Sequence, residues 1–334
     1  MLGKTSHGIL LWGLFFLICF GLGYPSLNRY DPRLAGNPDS AEYYKIVEGN
    51  PQAVPDHFRF RVLVPYLAKP FYWLAKGRVG TWNPVFFGLL VANSIFSATS
   101  ACLLVIIGYK VLNDYGIALV GALLYLVSFN VPNHHLAGLI DSGEACLMLA
   151  VSWAIVTDRW SVLPIFGMLG ALAKESIVPA FGVFSLTWLL TAAREEGFRL
   201  SRLAWVLALA IVGFGTVAIL RSTASGHMVW PWDIALAERT DISFIRGLYV
   251  PFLDREFWYV FAWLLPLGVW RLRCLPRPWV YASFTASLLM LIFGAWHNAG
   301  ITGSGVARAM FDTAGPVLSL SVASLLLRKR PQLS

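Results

Sequence analysis

Apolar segments recur along almost the whole chain, and they constrain its fold more than any other feature. Hydrophobic residues make up 57% of the 334 residues and charged residues only 13%, whereas a soluble domain carries about 25% charged residues. A chain of this composition has too few polar side chains to cover a water-exposed surface, so we expect its solvent to be a lipid bilayer. The 14 Trp, 12 Tyr and 22 Phe agree with this, because aromatic side chains anchor at the headgroup level.

The apolar pattern predicts an all-α polytopic membrane protein with about ten transmembrane helices in a single integral-membrane domain, residues 1–334. The predicted segments are 8–24, 84–109, 115–129, 143–157, 160–173, 177–193, 203–220, 257–270, 279–296 and 312–327. Several are shorter than the roughly 20 residues that cross a bilayer, so some are interpreted as buried or incomplete spans. The first follows Lys4 without a cleavage site and predicts a membrane anchor.

Charged residues divide unequally between the two sides of this arrangement. With the N-terminus in the cytoplasm, the loops on that side hold twelve bases and four acids, and the remaining segments hold 14 of each. The twelve bases are Lys4, Lys110, Arg159, Arg194, Arg199, Arg202, Arg271, Arg273, Arg277, Arg328, Lys329 and Arg330. By the positive-inside rule we expect both termini in the cytoplasm, a location in the inner (plasma) membrane, and any active site on the extracytoplasmic side. No nucleic-acid partner is predicted.

The first outer loop, residues 25–82, contains a polar stretch that we expect to form short interfacial helices. Asp39 has three interpretations there. Asn37 and Pro38 suit the N-cap and first position of a helix with Asp39 in its first turn, or Asp39 is the N-cap and Glu42 its capping-box partner. The functional hypothesis is that Asp39 is a general base and that Glu42, on nearly the same helix face, contacts substrate.

Two arginines spaced by one residue, Arg59 and Arg61, precede an apolar run that contains Pro65 and Pro70. This run predicts an interfacial or re-entrant helix broken by its prolines. The arginines either pair with lipid headgroups or recognise a specific phosphate through the planar guanidinium group. A second outer loop is expected at 221–256.

Lys174 and Glu175 interrupt the otherwise almost wholly apolar stretch 160–193. One interpretation is a solvated turn between two helices. The alternative, which we favour, is a pair lining a cavity, with Lys174 toward a phosphate and Glu175 orienting it, because charges within a bilayer usually face a cavity or each other.

His134, His135 and Asp141 lie in the predicted outer loop 130–144. Adjacent histidines cannot share the i, i+4 geometry of a metal-binding helix, and no HExxH motif is present, so we expect polar contacts at the rim of a cavity. Arg308 precedes the last predicted span in a glycine-containing loop, where it either snorkels to headgroups or binds a phosphate or carboxylate. Weaker candidates are Arg221, His227, Asp233 and His297.

Four motifs, in this order, resemble the class C (GT-C fold) integral-membrane glycosyltransferases that use polyprenyl-phosphate-linked sugars, similar to the bacterial mannosyltransferases of families 39 and 87. The motifs are DSAEYY (39–44), RVLVP (61–65), AKES (173–176) and GVARAMFDTAGP (305–316). The resemblance implies a GT-C-like fold and transfer of a sugar from the lipid donor to an acceptor. It implies Asp39 as the base, and it gives phosphate binding first to Lys174 and Arg308 and after them to Arg59 and Arg61.

The chain departs from this family in two ways. Ser40, not a second acid, follows Asp39, so a divalent cation stays open as a cofactor without a clear ligand motif. In addition, we expect no large soluble outer domain after the membrane part. The acceptor, whether glycan, lipid or protein, is not specified by the sequence. The alternative functions are a flippase or transporter of lipid-linked glycans, an O-antigen-type polymerase, and a non-catalytic membrane partner.

Overall fold

The computed structural model describes residues 2–29, 38–78, 80, 82–231, 233, 243–297 and 304–326. The regular structure within these residues is helical, without a strand. The α-helices are α1 (Leu2–Arg29), α2 (Pro38–Glu48), α3 (Asp56–Arg59), α4 (Leu63–Ala75), α5 (Pro84–Leu112), α6 (Tyr115–Val127), α7 (Asp141–Val156), α8 (Leu163–Ala173), α9 (Ile177–Glu196), α10 (Leu200–Ser225), α11 (Phe244–Leu253), α12 (Arg255–Phe261), α13 (Leu264–Arg271), α14 (Arg277–Trp296) and α15 (Ser304–Ala323).

Six of the described helices are long and apolar enough to cross a membrane, namely α1, α5, α9, α10, α14 and α15. They confirm the predicted all-α membrane class. The other predicted segments fall on shorter helices, which are α6, α7, α8 and the consecutive α12 and α13, and ten crossings stay a prediction.

Short turns join antiparallel helices, so the bundle has two distinct ends. One end, which we call the site end, contains the first residues of α7 and α15 and the turn between α8 and α9. The opposite end, which we call the basic end, contains the turns that join α5 to α6, α7 to α8, α9 to α10 and α13 to α14. Arg202 bonds to Asp158 at 2.9 Å there, and Arg271 donates to the Ser324 carbonyl oxygen at 3.1 Å.

The long helices differ in how far they are buried. In α15, 78% of the span is buried, compared with 17% in α1 and 22% in α10. The outer helices therefore expose apolar side chains on the surface of the bundle, and α15 lies in the interior. Small residues permit the closest approaches. A Cβ built on Gly167 of α8 would clash with the carbonyl oxygen of Leu209 in α10.

The polar stretch after α1 folds into α2, α3 and α4, as the sequence predicted for short helices. The prediction that prolines break the Arg61-to-Pro70 region is wrong, because α4 continues through Pro70. Pro65 lies in the first turn of α4, where the missing N–H leaves no helical bond unmade. The described part of the range 221–256, which the sequence predicted as an outer loop, includes the end of α10, all of α11 and the start of α12; its location on the outer side stays a prediction.

The last helix begins earlier than predicted. α15 starts at Ser304, not at residue 312, so Arg308 lies within its second turn and not in a loop before it. The residues GVARAMFD (305–312) include no proline and are compatible with a helix, so the helix extends through them. This extension directs Arg308 and Asp312, four residues apart, to the same face of α15.

Candidate functional site

A cavity of about 790 Å³ opens at the site end of the bundle. Its polar wall contains Arg61, Lys174 and Glu175, with His57 and His297 nearby in the lining. The rest of the wall is mainly apolar and comes from α9, α10, α14 and α15. These lining residues are Pro179, Phe214, Val217, Met290, Phe293, Gly294, Gly305, Val306 and Ala309, together with Ser176 and Pro231. The cavity thus combines cationic groups with an apolar surface.

Glu175 binds two arginines that come from different parts of the chain. Arg61 donates to its two carboxylate oxygens at 2.9 and 3.3 Å, and Arg221 at the end of α10 lies 3.4 Å from the nearer one. Burial opposes ionisation of Glu175, but the charge and hydrogen bonds of Arg61, with a contribution from Arg221, outweigh it and lower its pKa to about 2. The carboxylate is therefore charged at neutral pH.

Lys174 pairs with a different acid. Its ammonium group donates to both carboxylate oxygens of Glu144 at 3.0 and 3.2 Å, and Glu144 is buried in the first turn of α7. Lys174 and Glu175 both line the cavity. The expectation that Glu175 orients Lys174 is wrong, because the acid that binds Lys174 is Glu144. Extended backbone at Lys174 ends α8, so the two adjacent side chains take up separate ion pairs.

Arg308 joins two aspartates into what we call the acid–arginine cluster, Asp39, Asp141 and Arg308. Its guanidinium nitrogens lie 3.7 Å from Asp39 and 3.7 Å from Asp141. The Asp39 side chain is 38% exposed and that of Asp141 6%. The charges of both Arg308 and Lys174 act on Asp141, so the cluster lies beside the cavity although its members are not among the lining residues.

Helix α2 connects the cluster to the cavity. It begins at Pro38 with Asp39 in its first turn. One turn later on the same face, buried Tyr43 accepts a bond of 3.5 Å from Arg61. The capping-box interpretation is wrong, since Asp39 lies inside the helix and Glu42 instead pairs with Lys45 at 2.8 Å. The N-cap prediction for Asn37 lies outside the described residues.

The two histidines are buried and do not lie at a cavity rim, which corrects the prediction for His134 and His135. Residues 131–135 form a π-helical turn that places both imidazoles inside the bundle. The Nδ1 of His134 lies 2.9 Å from Asn130 Oδ1. Burial, reinforced by the charge of Arg308, lowers the pKa of His134 to about 3, so this imidazole is neutral at physiological pH.

Arg59 is separated from the cavity. It bonds to Gln52 and lies 3.7 Å from Asp56, in the short helix α3, while Arg61 faces the cavity. Of the weaker candidates, Arg221 joins Glu175 and His297 lines the cavity, whereas His227 and Asp233 make local contacts with Ser225 and Trp230.

Sequence reasoning gave no role to Glu144 and Asp312, which the structure places in buried ion pairs. Glu144 binds Lys174, and Asp312 lies 2.9 Å from His135 Nε2. Both acids lie within or at the edge of apolar segments, and a charge in such a position is a signal of a buried partner. Among the described residues, no group of three or more His, Cys, Asp or Glu side chains is arranged to hold a metal ion.

Comparison with known proteins gave no match to a family model, to a curated protein or to a solved structure.

Proposed function

We propose that this chain is an integral-membrane glycosyltransferase that moves a sugar from a polyprenyl-phosphate donor to an acceptor hydroxyl. The observation that carries the proposal is the cavity of about 790 Å³ with cations on one wall and apolar side chains on the others. An amphiphile with an anionic head and a hydrocarbon chain matches both surfaces.

The charges of the polar wall favour an anionic head. Arg61 and Lys174 both line the cavity, and each is held in place by an ion pair, Arg61 with Glu175 and Lys174 with Glu144. A phosphate oxygen that enters the cavity can approach either cation, and arginine holds phosphate through two parallel hydrogen bonds. The hydrocarbon chain lies against Phe214, Val217 and Met290.

Asp39 is the carboxylate best placed to act as a base. Its side chain is 38% exposed, whereas those of Glu175, Asp141 and Glu144 are 16%, 6% and 3% exposed. An acceptor can therefore reach Asp39 and not the buried acids. Arg308 in this proposal holds the Asp39 carboxylate in place, a role different from the phosphate binding that the family resemblance implied.

The reaction is a single displacement. The acceptor oxygen attacks the anomeric carbon of the donor sugar and forms the new glycosidic bond, while the bond from that carbon to the phosphate oxygen breaks. The lipid phosphate leaves with the bonding electron pair, and Asp39 takes the proton of the acceptor hydroxyl. Arg61 and Lys174 stabilise the charge that develops on the leaving phosphate.

The site end is proposed to face the extracytoplasmic side. The turns at the basic end carry Lys110, Arg159, Arg199, Arg202 and Arg273, and cytoplasmic loops are enriched in such residues. In this orientation α1 begins, and α15 ends, at the cytoplasmic side.

The test is a transfer assay with purified protein in liposomes and a panel of polyprenyl-phosphate sugars. We expect transfer by the wild type and by Glu48→Gln, an exposed acid at the end of the same helix, and a loss of at least 100-fold in Asp39→Asn. Normal transfer by a folded Asp39→Asn variant refutes the assignment of the base. Movement of labelled lipid across the bilayer without transfer supports a flippase instead.

A further inference from the structure

Asp312 and His135 form a wholly buried polar pair outside the cavity. The Oδ1 of Asp312 lies 2.9 Å from Nε2 of His135, and the two side chains are 1% and 0% exposed. The proposed reaction uses neither residue. A buried carboxylate is costly unless it is paired, so this contact is strongly preferred over any arrangement that separates the two groups.

The pair lies beside the π-helical turn and next to the side-chain amide of Asn130. This amide contacts both imidazoles, at 2.9 Å from Nε2 of His135 and 2.9 Å from Nδ1 of His134. Asp312 connects the His135 imidazole to α15. The Tyr125 and Phe311 rings pack 6.2 and 5.9 Å from the His135 ring, so the turn has little freedom to shift.

The same face of α15 also carries Arg308, one helical turn before Asp312. Arg308 reaches Asp39 on α2 and Asp141 at the start of α7, and residues 136–140 connect the π-helical turn to α7. Asp312 therefore binds the π-helical turn through His135, and Arg308 binds the start of α7 through Asp141. Rotation of α15 about its axis would break both contacts together.

We propose that His135 and Asp312 are a positioning pair that fixes the rotation of α15 so that the Arg308 guanidinium lies beside Asp39. The charged groups that face Asp312 are Asp141, Glu144 and Lys174 in addition to His135, and of these His135 is the one that joins α15 to the turn. The location of Arg308 is independent of the proposed glycosyltransferase activity, and only its consequence for transfer rests on that function.

The test measures the local charge at position 39 and requires no catalysis. Asp39→Cys is introduced into a chain whose four native cysteines, Cys19, Cys102, Cys146 and Cys274, are replaced by alanine. The rates of modification by an anionic and by a cationic methanethiosulfonate are compared. Because Arg308 attracts the anion and repels the cation, Arg308→Gln should lower the anionic-to-cationic rate ratio about tenfold.

If the pair positions Arg308, Asp312→Ala lowers this ratio to the level of Arg308→Gln, while Asp312→Asn, which keeps an acceptor for His135, retains most of it. The matched control is Thr313→Ala, which removes a buried hydroxyl from the next residue of α15 and should leave the ratio unchanged. A paired replacement, His135→Leu with Asp312→Leu, provides a variant without an unpaired buried charge if Asp312→Ala fails to fold. It too should lower the ratio.

The proposal is overturned if folded Asp312→Ala, or the double leucine variant, keeps the anionic-to-cationic rate ratio of the parent. An equal drop in Thr313→Ala also overturns it, because the effect is then general loosening of α15. If the Asp312 variants keep the parent rate ratio while the wild type transfers sugar, only the positioning pair is refuted. If the rate ratios change as expected but the wild type transfers no sugar, only the glycosyltransferase is refuted.

Discussion

Replacing Glu175 by Gln removes the negative charge that Arg61 and Arg221 share in the cavity wall. The carboxylate is 16% exposed and lies 2.9 Å from Arg61 and 3.4 Å from Arg221. The amide of Gln keeps the size of the side chain but leaves two guanidinium groups without a counter-charge. We therefore expect the variant to fold less stably.

Two arguments give the size of this loss. Breaking a buried ion pair by removing one partner costs about 3–5 kcal/mol. Separately, the pKa of Glu175 falls from its ordinary 4.5 to about 2 on folding, and at 1.36 kcal/mol per pH unit this difference corresponds to roughly 3 kcal/mol. Because the folded pKa is the lower one, this stability is present above pH 4.5 and is lost as the pH falls through 2.

The assay is equilibrium unfolding by sodium dodecyl sulfate in mixed micelles, followed by circular dichroism at pH 7 and pH 3. Glu175→Gln should lower the free energy of unfolding by about 3 kcal/mol at pH 7 and by about half as much at pH 3. The matched control is Glu42→Gln, whose partner Lys45 is three residues away and 38% exposed. This variant should lose less than about 0.5 kcal/mol.

Equal losses in the two variants would show that Glu175 is not an effectively buried counter-charge. A loss in Glu175→Gln that does not change between pH 7 and pH 3 would refute the depressed pKa even if the variant is unstable. Either result removes the basis for treating Arg61, Arg221 and Glu175 as one electrostatic unit.

Two further predictions concern packing and pH. Gly167→Ala should destabilise the protein by about 1–3 kcal/mol in the same unfolding assay, because the new Cβ meets the Leu209 carbonyl. The control is Gly182→Ala, where a Cβ meets nothing within 4 Å, and this variant should be neutral or stabilising. Equal losses of stability in the two variants would contradict the close approach of α8 and α10. The folded pKa of His134, about 3, lies below its ordinary 6.5, so the stability that His134 contributes is present above pH 6.5 and is lost as the pH falls toward 3. The free energy of unfolding should therefore drop by about 1–2 kcal/mol between pH 6.5 and 5, and His134→Gln should flatten this slope; an unchanged slope would show that another group titrates.

The sequence was sufficient for features that depend on local composition. Hydropathy placed the segments that became α5, α9, α10 and α14 within a few residues of their ends, because burial in lipid requires continuous apolar stretches. The charged break at Lys174 and Glu175 also marked a real turn between α8 and α9. In each case the determining property lies within about 20 neighbouring residues.

The partners of the charged residues were not predictable in this way. Asp312 meets His135 across 177 residues, and Arg61 meets Glu175 across 114. Such contacts depend on how helices pack, which hydropathy does not describe. The continuous path of α4 through Pro70 has a similar cause, since the packing of Val64, Ala68 and Tyr72 maintains a helix that local propensity alone would interrupt.

The interior position of α15 has a consequence for biogenesis. Its buried Asp312, Thr313, Ser319 and Ser321 give it a mean hydropathy of 1.4, against 2.5 for the more exposed α10. A central Asp alone disfavours insertion of an isolated helix by about 3 kcal/mol, so α15 partitions into the bilayer poorly by itself. Its insertion is favoured once α6, α7 and α14 are already present to receive it. Membrane integration and tertiary assembly are therefore coupled for this helix. A mutation that disrupts the packing surface of α6, α7 or α14 would be seen first as failed insertion of α15.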